Sequence, residues 1–188
     1  MRKSKVYIAL LHYPVYNKKM EVITTSITNL DIHDIARVAR TYEVDGFFLA
    51  HPLATQRELA GQILDYWQRG YGGEYNPDRK EAFRIVRLAS SLEEVLETIT
   101  RETGRAPKTV ATDARVYPNT VGYGALRNEM AAQTGTYVVL FGTGWGLARE
   151  LMMETDFILE PIAAGSSYNH LSVRSAVAII LDRLLGDR

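Results

Sequence analysis

The sequence predicts an α/β fold with a largely parallel six-stranded sheet and helices on both faces. Apolar runs of strand length alternate with helical patterns along the chain, an order that is typical of successive β–α–β units. One run, Thr136–Phe141, is apolar almost throughout, as expected for a strand that helices cover on both sides. The chain has 188 residues, which suits one domain, and we assign residues 1–188 to it.

Three strands and two helices are predicted before residue 90. The helices show apolar residues three and four positions apart, whereas the strands are short apolar runs. Asn29 or Asp31 is the expected cap of the first helix, and Thr55 and Glu58 form a capping box that opens the second. In chain order the predicted elements are a strand at Lys5–Leu11, a helix at Asp31–Tyr42, a strand at Val44–Ala50, a helix from Thr55 to Gly70, the irregular segment Gly70–Asp78 and a strand at Phe83–Leu88.

Three more strands and four helices are predicted in the remainder. Ser91 and Glu94 form a second capping box. The last helix is apolar nearly all round over Ala176–Leu181, which predicts burial on more than one face, in the core or against a second subunit. In chain order these elements are a helix from Ser91 to Gly104, a strand at Thr109–Thr112, a helix at Tyr123–Gln133, the strand Thr136–Phe141, a short helix at Leu147–Glu154, a strand at Asp156–Leu159 and a helix at Ser172–Leu185.

Composition excludes several classes of protein. The chain has no cysteine, which excludes disulfide scaffolds, zinc ribbons and thiol nucleophiles. Its four histidines show no metal-ligand spacing, and no stretch approaches the ~18 apolar residues of a membrane span. We therefore expect no metal, no membrane association and a cytoplasmic location. Lysine plus arginine and aspartate plus glutamate are each 22, a balance that still allows a local basic patch to bind nucleic acid.

Three predicted strands end in loops that carry candidate ligand-binding residues. These loops begin at Thr112–Asp113, at Gly142–Gly146 and at Glu160, and ligands of parallel sheets bind at the carboxyl ends of the strands. The glycines are compatible either with a tight turn or with close approach of a ligand to the backbone. A dinucleotide site is one alternative, because Glu160 follows Gly142 by 18 residues and resembles the acid that holds a ribose. The glycine spacing and the position late in the chain argue against it.

Three segments, taken in order, resemble the SPOUT family of S-adenosylmethionine (SAM)-dependent RNA methyltransferases. Val139–Leu147 is similar to the strand and glycine loop of that family, and Asp31–Asp45 is similar to its N-terminal helix. Ile158–Ile162 and Ser167–Leu181 resemble its C-terminal loop and helix. The combination is closest to a small bacterial branch without an added RNA-binding domain.

The resemblance implies a trefoil-knotted α/β fold, a SAM cofactor, a homodimer and an RNA substrate, either tRNA or rRNA. It places Arg37, Asn169 and Ser172 in catalysis, with methyl transfer to a base nitrogen or a ribose hydroxyl. The cofactor-binding residues that it implies are Thr112, Asp113, Leu140, Phe141, Gly142, Thr143, Gly144, Trp145, Gly146, Leu147, Ile158, Leu159, Glu160, Pro161, Ile162, Tyr168, Asn169, His170 and Leu171.

The sequence departs from the family pattern at two places. Asp31, Ile32 and His33 stand where Asn-Leu-Gly often opens the first motif, and Asn169 and His170 stand where many members have a single asparagine. Either residue of the second pair is a candidate for the substrate-loop role.

Each of these roles competes with an ordinary structural one. Arg37 is either a solvated or ion-paired structural arginine or a contact for the target nucleotide. Asn169 and Ser172 cap the last helix, line the site, or do both. Gly70–Arg79 is a plain surface loop or a loop whose tyrosines stack on bases. For the whole chain, the alternatives to an enzyme of this family are a non-catalytic knotted module that binds cofactor or RNA, and a nicotinamide-dinucleotide enzyme.

Overall fold

A parallel seven-stranded sheet forms the centre of the computed structural model, which describes residues 3–166 and 168–187. The strands are β1 (Lys5–Leu11), β2 (Val15–Tyr16), β3 (Val22–Ile23), β4 (Gly46–Ala50), β5 (Val86–Ala89), β6 (Lys108–Ala111), β7 (Thr120–Val121), β8 (Thr136–Gly142) and β9 (Phe157–Leu159). Seven of them pair in the order β5-β4-β1-β8-β6-β9-β7, while β2 and β3 form a separate antiparallel hairpin. All pairs in the large sheet are parallel, so the carboxyl ends of its strands share one edge.

Eight helices are described around the sheet. They are α1 (Asn29–Thr41), α2 (Ala54–Gln68), α3 (Tyr71–Tyr75), α4 (Pro77–Phe83), α5 (Leu92–Thr103), α6 (Tyr123–Ala132), α7 (Arg149–Met153) and α8 (Val173–Leu185). In the described part of the chain, no helix combines the length and the apolar character that crossing a membrane requires.

Helices cover both faces of the sheet, as the sequence predicts. Side chains of β1 alternate between two buried clusters, because successive residues of a strand point to opposite faces. Val6, Ile8 and Leu10 pack with α1, α2, α4, α6 and α8. Tyr7, Ala9 and Leu11 pack with α5 and α7. The apolar run of β8 is buried in the same two-sided way.

The sheet has one strand more than predicted, and one predicted strand is shorter. β7 was missed because two residues give no periodic signal. The strand predicted at Phe83–Leu88 begins only at Val86, because Phe83 ends α4. Asn76 caps α4 by accepting the amide hydrogen of Arg79, and Pro77 occupies its first turn. The segment predicted to be irregular, Gly70–Asp78, therefore contains α3 and the start of α4.

Helix caps differ from the predictions in two cases. Thr28, and neither Asn29 nor Asp31, caps α1 by accepting the Asp31 amide hydrogen. α2 begins at Ala54 without a side-chain cap, so the capping box at Thr55 and Glu58 was wrong. The box at Ser91 is half confirmed. Ser91 accepts the amide hydrogen of Glu94, while the Glu94 carboxylate accepts from Ser90 instead.

Within the chain, α8 buries one face rather than several. Its buried residues are Val177, Ile180, Leu181 and Leu184, which lie on a single stripe at helical spacing. Val173 packs against the same core, whereas Ile179, off this stripe, is only partly buried. Burial of the Ile179 face against a second subunit stays a prediction.

Two buried histidines close the carboxyl ends of β1 and β4. His12 and His51 have ring centroids 5.3 Å apart and are 0% and 1% exposed. The His12 ring lies 3.2 Å from the Ala50 carbonyl oxygen through Nδ1, and Nε2 has no described partner. Burial, the largest cause, lowers the pKa of His12 from 6.5 to about 4.

This histidine predicts a loss of stability in mild acid. The unfolded chain takes up the proton near pH 6.5, whereas the folded chain resists it until about pH 4. The free energy of unfolding should therefore fall from pH 6.5 downward, by about 3 kcal/mol once pH is below 4. Urea denaturation over this range measures it. His12→Gln should flatten the pH dependence, while the matched change at exposed His170 should leave it unaltered. Equal slopes for the parent and His12→Gln would contradict the assignment.

Candidate functional site

A cavity of about 840 Å³ opens at the carboxyl edge of the sheet, within the size range of small-molecule sites. The loops after β6, β8 and β9 meet there, as the sequence predicts. Two further walls come from the segment between β1 and α1 and from the first turns of α8. The lining residues are Met20, Thr25, Ser26, Thr28, Asp31, Thr112, Asp113, Ala114, Arg115, Phe141, Gly142, Thr143, Gly144, Trp145, Gly146, Glu160, Ile162, Asn169, His170, Leu171, Ser172, Val173, Arg174, Ala176 and Ile180.

The glycine loop after β8 is held against the β2–β3 hairpin by its backbone. The Trp145 amide donates to the Tyr16 carbonyl at 2.8 Å, and the Tyr16 amide donates to the Gly146 carbonyl at 2.9 Å. The Gly146 amide donates to the Thr143 carbonyl. The amides of Trp145 and Gly146 thus have partners inside the chain, so any ligand contact of the loop comes from its other groups.

Gly144 and Gly146 are required by this packing. Both have positive φ, 59° and 94°, a region that side chains with a Cβ rarely adopt. A Cβ on Gly144 would lie 2.7 Å from the Tyr16 carbonyl oxygen, and one on Gly146 would lie 2.6 Å from Oδ2 of Asp113. The glycines therefore permit the hairpin and the loop after β6 to approach the loop after β8.

Arg115 ties the loops after β6 and β8 together. Its Nε donates to Oδ1 of Asp113 at 3.0 Å, and its Nη2 donates both to Oδ2 of Asp113 and to the Leu147 carbonyl. The guanidinium carbon also lies 5.2 Å from the ring centre of Tyr16. The Asp113 side chain is 3% exposed, and both of its oxygens bind Arg115. Hydrogen bonding to Asp113 raises the pKa of Arg115.

A second ion pair joins α1 to α8 beside the cavity. Arg174 donates to Oδ1 of buried Asp31 at 2.8 Å and lies 3.4 Å from Asp34. Thr28 donates its hydroxyl hydrogen to Oδ2 of Asp31 at 2.6 Å. Asp31, at the position where the related motif often has asparagine, therefore fixes the first turns of two helices against each other.

The loop before α8 brings Asn169, His170 and Ser172 to the cavity. Ser172 accepts the amide hydrogen of Ser175 and caps α8, and it also lines the cavity. Asn169 donates its Nδ2 hydrogen to the Ala114 carbonyl, and the His170 ring lies 5.9 Å from Trp145. Ser167, within the segment that carries the family resemblance, lies outside the described residues.

Glu160 has a structural partner as well as a place in the cavity. Its carboxylate accepts the amide hydrogen of Tyr123 at 3.1 Å, at the first turn of α6. Asp31 and Asp113 are each paired with an arginine. Among the described lining residues, Glu160 is accordingly the carboxylate without an ion-pair partner.

Most of the predicted ligand residues line the cavity, but six do not. The buried ones are core residues on the two faces of the sheet: Leu140, Leu147 and Ile158 belong to one buried cluster and Leu159 to the other. Tyr168 is 73% exposed and packs edge-on against His170. Arg37 is exposed on α1, outside the cavity wall. The six are Leu140, Leu147, Ile158, Leu159, Pro161 and Tyr168.

Sequence reasoning missed the part of the cavity wall that lies between β1 and α1, and it did not identify Arg115 and Arg174 as site residues. Met20, Thr25 and Ser26 lie in a short polar stretch with no recognisable motif. Thr25 is placed by its hydroxyl contact with Thr143 of the glycine loop, a contact across 118 positions that no local pattern encodes. Within residues 3–166 and 168–187, no cluster of three or more acidic or histidine side chains suits a metal.

The comparisons with known proteins agree with this architecture. The profile of a family described as SAM-dependent RNA methyltransferase matches residues 5–186. An uncharacterized protein of Aquifex aeolicus is 49% identical over 184 residues, covering 98% of this chain and 90% of that protein. A probable methyltransferase from Bordetella pertussis has the same fold, with a TM-score of 0.63 at 17% identity, covering 97% of this chain and 95% of that one.

A third relative is much longer than this chain. A protein of Oleidesulfovibrio alaskensis named tRNA (guanine-N(1)-)-methyltransferase is 43% identical over 182 residues. The match covers 97% of this chain but 42% of that protein. Its name describes the whole protein, of which this chain corresponds to less than half.

Gly144 provides a direct test of the loop packing. Gly144→Val should displace the loop, because the side chain meets the Tyr16 carbonyl and the backbone is left strained by about 1–3 kcal/mol. Hydrogen exchange of residues 142–148 should become markedly faster. Gly104→Val is the matched control, since Gly104 has φ of 74° but no atom within 4 Å of its Cβ position. If exchange at residues 142–148 were the same in both variants, steric contact with the hairpin would not be what holds the loop.

Proposed function

Because the chain belongs to the family of SAM-dependent RNA methyltransferases, we propose that the cavity at the sheet edge binds SAM and places its methyl group before an RNA nucleotide. The observation that carries the proposal is the convergence of three loops. Those after β6, β8 and β9 line one cavity of about 840 Å³, a volume that suits a cofactor of this size. The trefoil knot that the resemblance implies remains part of the proposal.

The cavity residues fit a cofactor that carries an adenine ring and a positively charged sulfonium. Phe141, Ile162 and Ile180 provide apolar wall for an adenine ring. The glycine loop keeps side chains out of the space beside the hairpin. Glu160 supplies a carboxylate without an ion-pair partner, which complements the positive charge of a sulfonium. Bound SAM itself supplies the electrophilic methyl group.

The chain's contribution to the reaction is to orient the acceptor and exclude water. Asn169 and Ser172 sit on the loop before α8, which lines the cavity and is joined to the loop after β6 by the Asn169–Ala114 hydrogen bond. Asp113 is consumed by Arg115, so it holds the loops and does not accept the proton of the nucleotide. The two ion pairs keep these walls in place while the acceptor enters.

RNA is the substrate class, with tRNA or rRNA as the finer proposal. Bulk tRNA is the first substrate to test, because two relatives of 42–43% identity are named tRNA methyltransferases. The guanine N1 position in those names is not assigned to this chain, since the match covers only 42% of each of the two relatives. Such a substrate would place the activity in the cytoplasm.

We also propose a homodimer through the unburied face of α8. Ile179 is partly exposed, and Leu171 and Leu30 on adjoining elements are 46% and 62% exposed. A second copy would cover this apolar surface and complete the open side of the cavity. Such an isologous interface should bury roughly 1,600 Å² or more. Light scattering at micromolar concentration should give a dimer, and a monomer would refute this part.

Arg37 is proposed to act on RNA and not on the cofactor. It is exposed on α1 and has no carboxylate within ion-pair distance among the described residues. A guanidinium so placed is free to bind phosphate or a base edge in bidentate fashion. The cavity wall does not include it, so contact with the acceptor nucleotide requires that the RNA extend over α1 or that a partner subunit present its own α1.

Arg37→Ala should reduce the transfer of labelled methyl from SAM to bulk tRNA on the order of a hundredfold. SAM affinity by calorimetry and dimer content should stay near those of the parent, since no core volume is lost. Arg37→Lys should rescue poorly, because an ammonium cannot copy the planar fork.

Arg40→Ala is the control on the same helix, because Arg40 pairs with Glu81 at 3.0 Å. Methyl transfer at the parent rate by Arg37→Ala would refute the role of Arg37. A parent that binds SAM and RNA without transfer would favour the non-catalytic alternative. Tight NADH binding in place of SAM would favour the dinucleotide one.

A further inference from the structure

We propose that Tyr71 and Tyr75, the tyrosine platform, form a second RNA contact outside the cavity, where unpaired bases stack on the two rings. The inference rests on the proposed function, because it takes RNA as the partner. It adds a binding surface and a class of RNA structure that the cavity does not specify.

The platform lies on a short helix in which the large side chains are exposed and the glycines are buried. In α3, Tyr71 and Tyr75 are 66% and 75% exposed, while Gly72 and Gly73 are buried. Burial of apolar surface favours the opposite arrangement, since a tyrosine ring offers far more apolar area than a glycine. The segment thus presents its two large rings to solvent.

The glycines enforce this arrangement. A Cβ on Gly72 would lie 2.5 Å from Cε1 of Tyr66, and one on Gly73 would lie 2.4 Å from the Trp67 carbonyl oxygen. α3 therefore rests on α2 with its glycines in contact, and no space remains beneath it for the tyrosines. The exposure of the rings follows from packing that only glycine allows.

The two rings are arranged in parallel. Their centroids are 6.2 Å apart and their planes are inclined by 29°, so neighbouring faces point the same way along the surface. Exposed aromatic faces are the usual stacking partners of unpaired bases, and they accept any base. Paired bases within a duplex do not offer their faces in this way.

Two guanidinium groups without described carboxylate partners lie on neighbouring helices, Arg79 on α4, which packs against α3, and Arg37 on α1, which packs against α4. Arg79 lies 5.0 Å from the ring centre of Trp67 and donates to Nδ1 of His33 at 2.9 Å. Arg37, four residues after His33 on α1, is exposed. Neither has an ion pair in the part of the chain that is described. The pKa of His33 is lowered by burial first, then by the charge of Arg79 and least by that of Arg37, with Asp34 opposing them. The strip from α3 to α1 thus combines stacking faces with unneutralised cations.

Two acids on the same turns determine how RNA would lie. Glu74 and Asp78 are exposed beside the tyrosines, and their charge repels phosphate. Bases would therefore contact the platform while the phosphates run toward Arg79 and Arg37. This orientation favours a loop or single strand, whose bases turn away from the backbone.

The test compares Tyr71→Ala/Tyr75→Ala with Tyr71→Phe/Tyr75→Phe in the full chain. The probe is a fluorescein-labelled 12-residue oligouridylate, read by anisotropy, alongside a duplex RNA of the same length. The alanine pair should weaken oligouridylate binding roughly tenfold or more, and the phenylalanine pair should retain it. The salt dependence of binding should keep its slope, because no phosphate contact is removed. Met153→Ala, a 55% exposed site on α7, is the matched control and should bind as the parent does.

Three results would overturn the proposal. They are equal affinity of the parent and the alanine pair, preference of the parent for duplex, and a change of oligomeric state in the alanine pair, which would make this face a contact between copies of the chain. SAM binding by calorimetry is read separately. Its absence in the parent would contradict the proposed function of the cavity, whereas loss of oligouridylate binding in the alanine pair alone supports the platform.

Discussion

Contact between the loop after β8 and the β2–β3 hairpin is the constraint on which the cavity depends. Backbone hydrogen bonds join Tyr16 to Trp145 and Gly146 in both directions, and Val15 forms an isolated bridge with Leu147. Any side chain at Gly144 would clash with the Tyr16 carbonyl oxygen. Because the hairpin also carries the chain from β1 toward α1, this contact sets where Thr25 and Thr28 stand opposite the glycine loop.

Ion pairs, in addition to backbone hydrogen bonds, hold the walls of the cavity together. The pair of Asp31 with Arg174 joins α1 to α8, whereas Arg115 pairs with Asp113 in its own loop and reaches the Leu147 carbonyl after β8. In both pairs the carboxylate is nearly buried while the arginine is about one-third exposed. Removing one member would leave a buried charge uncompensated, which is costly. Because the charges within each pair cancel, the remaining carboxylate charge among the described lining residues is the negative charge of Glu160. In the proposed SAM site, one carboxylate without an ion-pair partner would favour the cationic sulfonium over the neutral thioether product, since the attraction weakens when the charge is lost.

The sequence predicts the parts of this protein that local patterns encode. Alternation and apolar runs locate the strands, and the loops after β6, β8 and β9 were identified because the carboxyl ends of parallel strands share an edge. Phe83 shows where this fails. It reads as strand by composition, but Asn76 and Pro77 start a helix that includes it. Arg174 could not be found, because its partner Asp31 is brought to it by a tertiary contact. Arg115 lies two residues from Asp113, but its contacts with the Leu147 carbonyl and the Tyr16 ring exist only in the folded chain. The distance between the loop before α8 and Ala114, bridged by Asn169, is likewise a property of the folded chain.

The helix α1 extends from the cavity wall to the exposed surface that carries Arg37. Its first turn supplies Thr28 and Asp31 to the cavity wall, and Arg37 follows Asp31 by six residues, about 9 Å along the helix axis. His33 lies between them and receives the hydrogen bond of Arg79 from α4, which itself adjoins α3. One rigid element therefore spans from the ion pair with α8 to the cations beside Tyr71 and Tyr75. Because α1 packs against α4, and α4 packs against α3, these contacts fix the distance between the cavity and the platform. A nucleotide held at the cavity and a base stacked on the platform would then be located by the same rigid body.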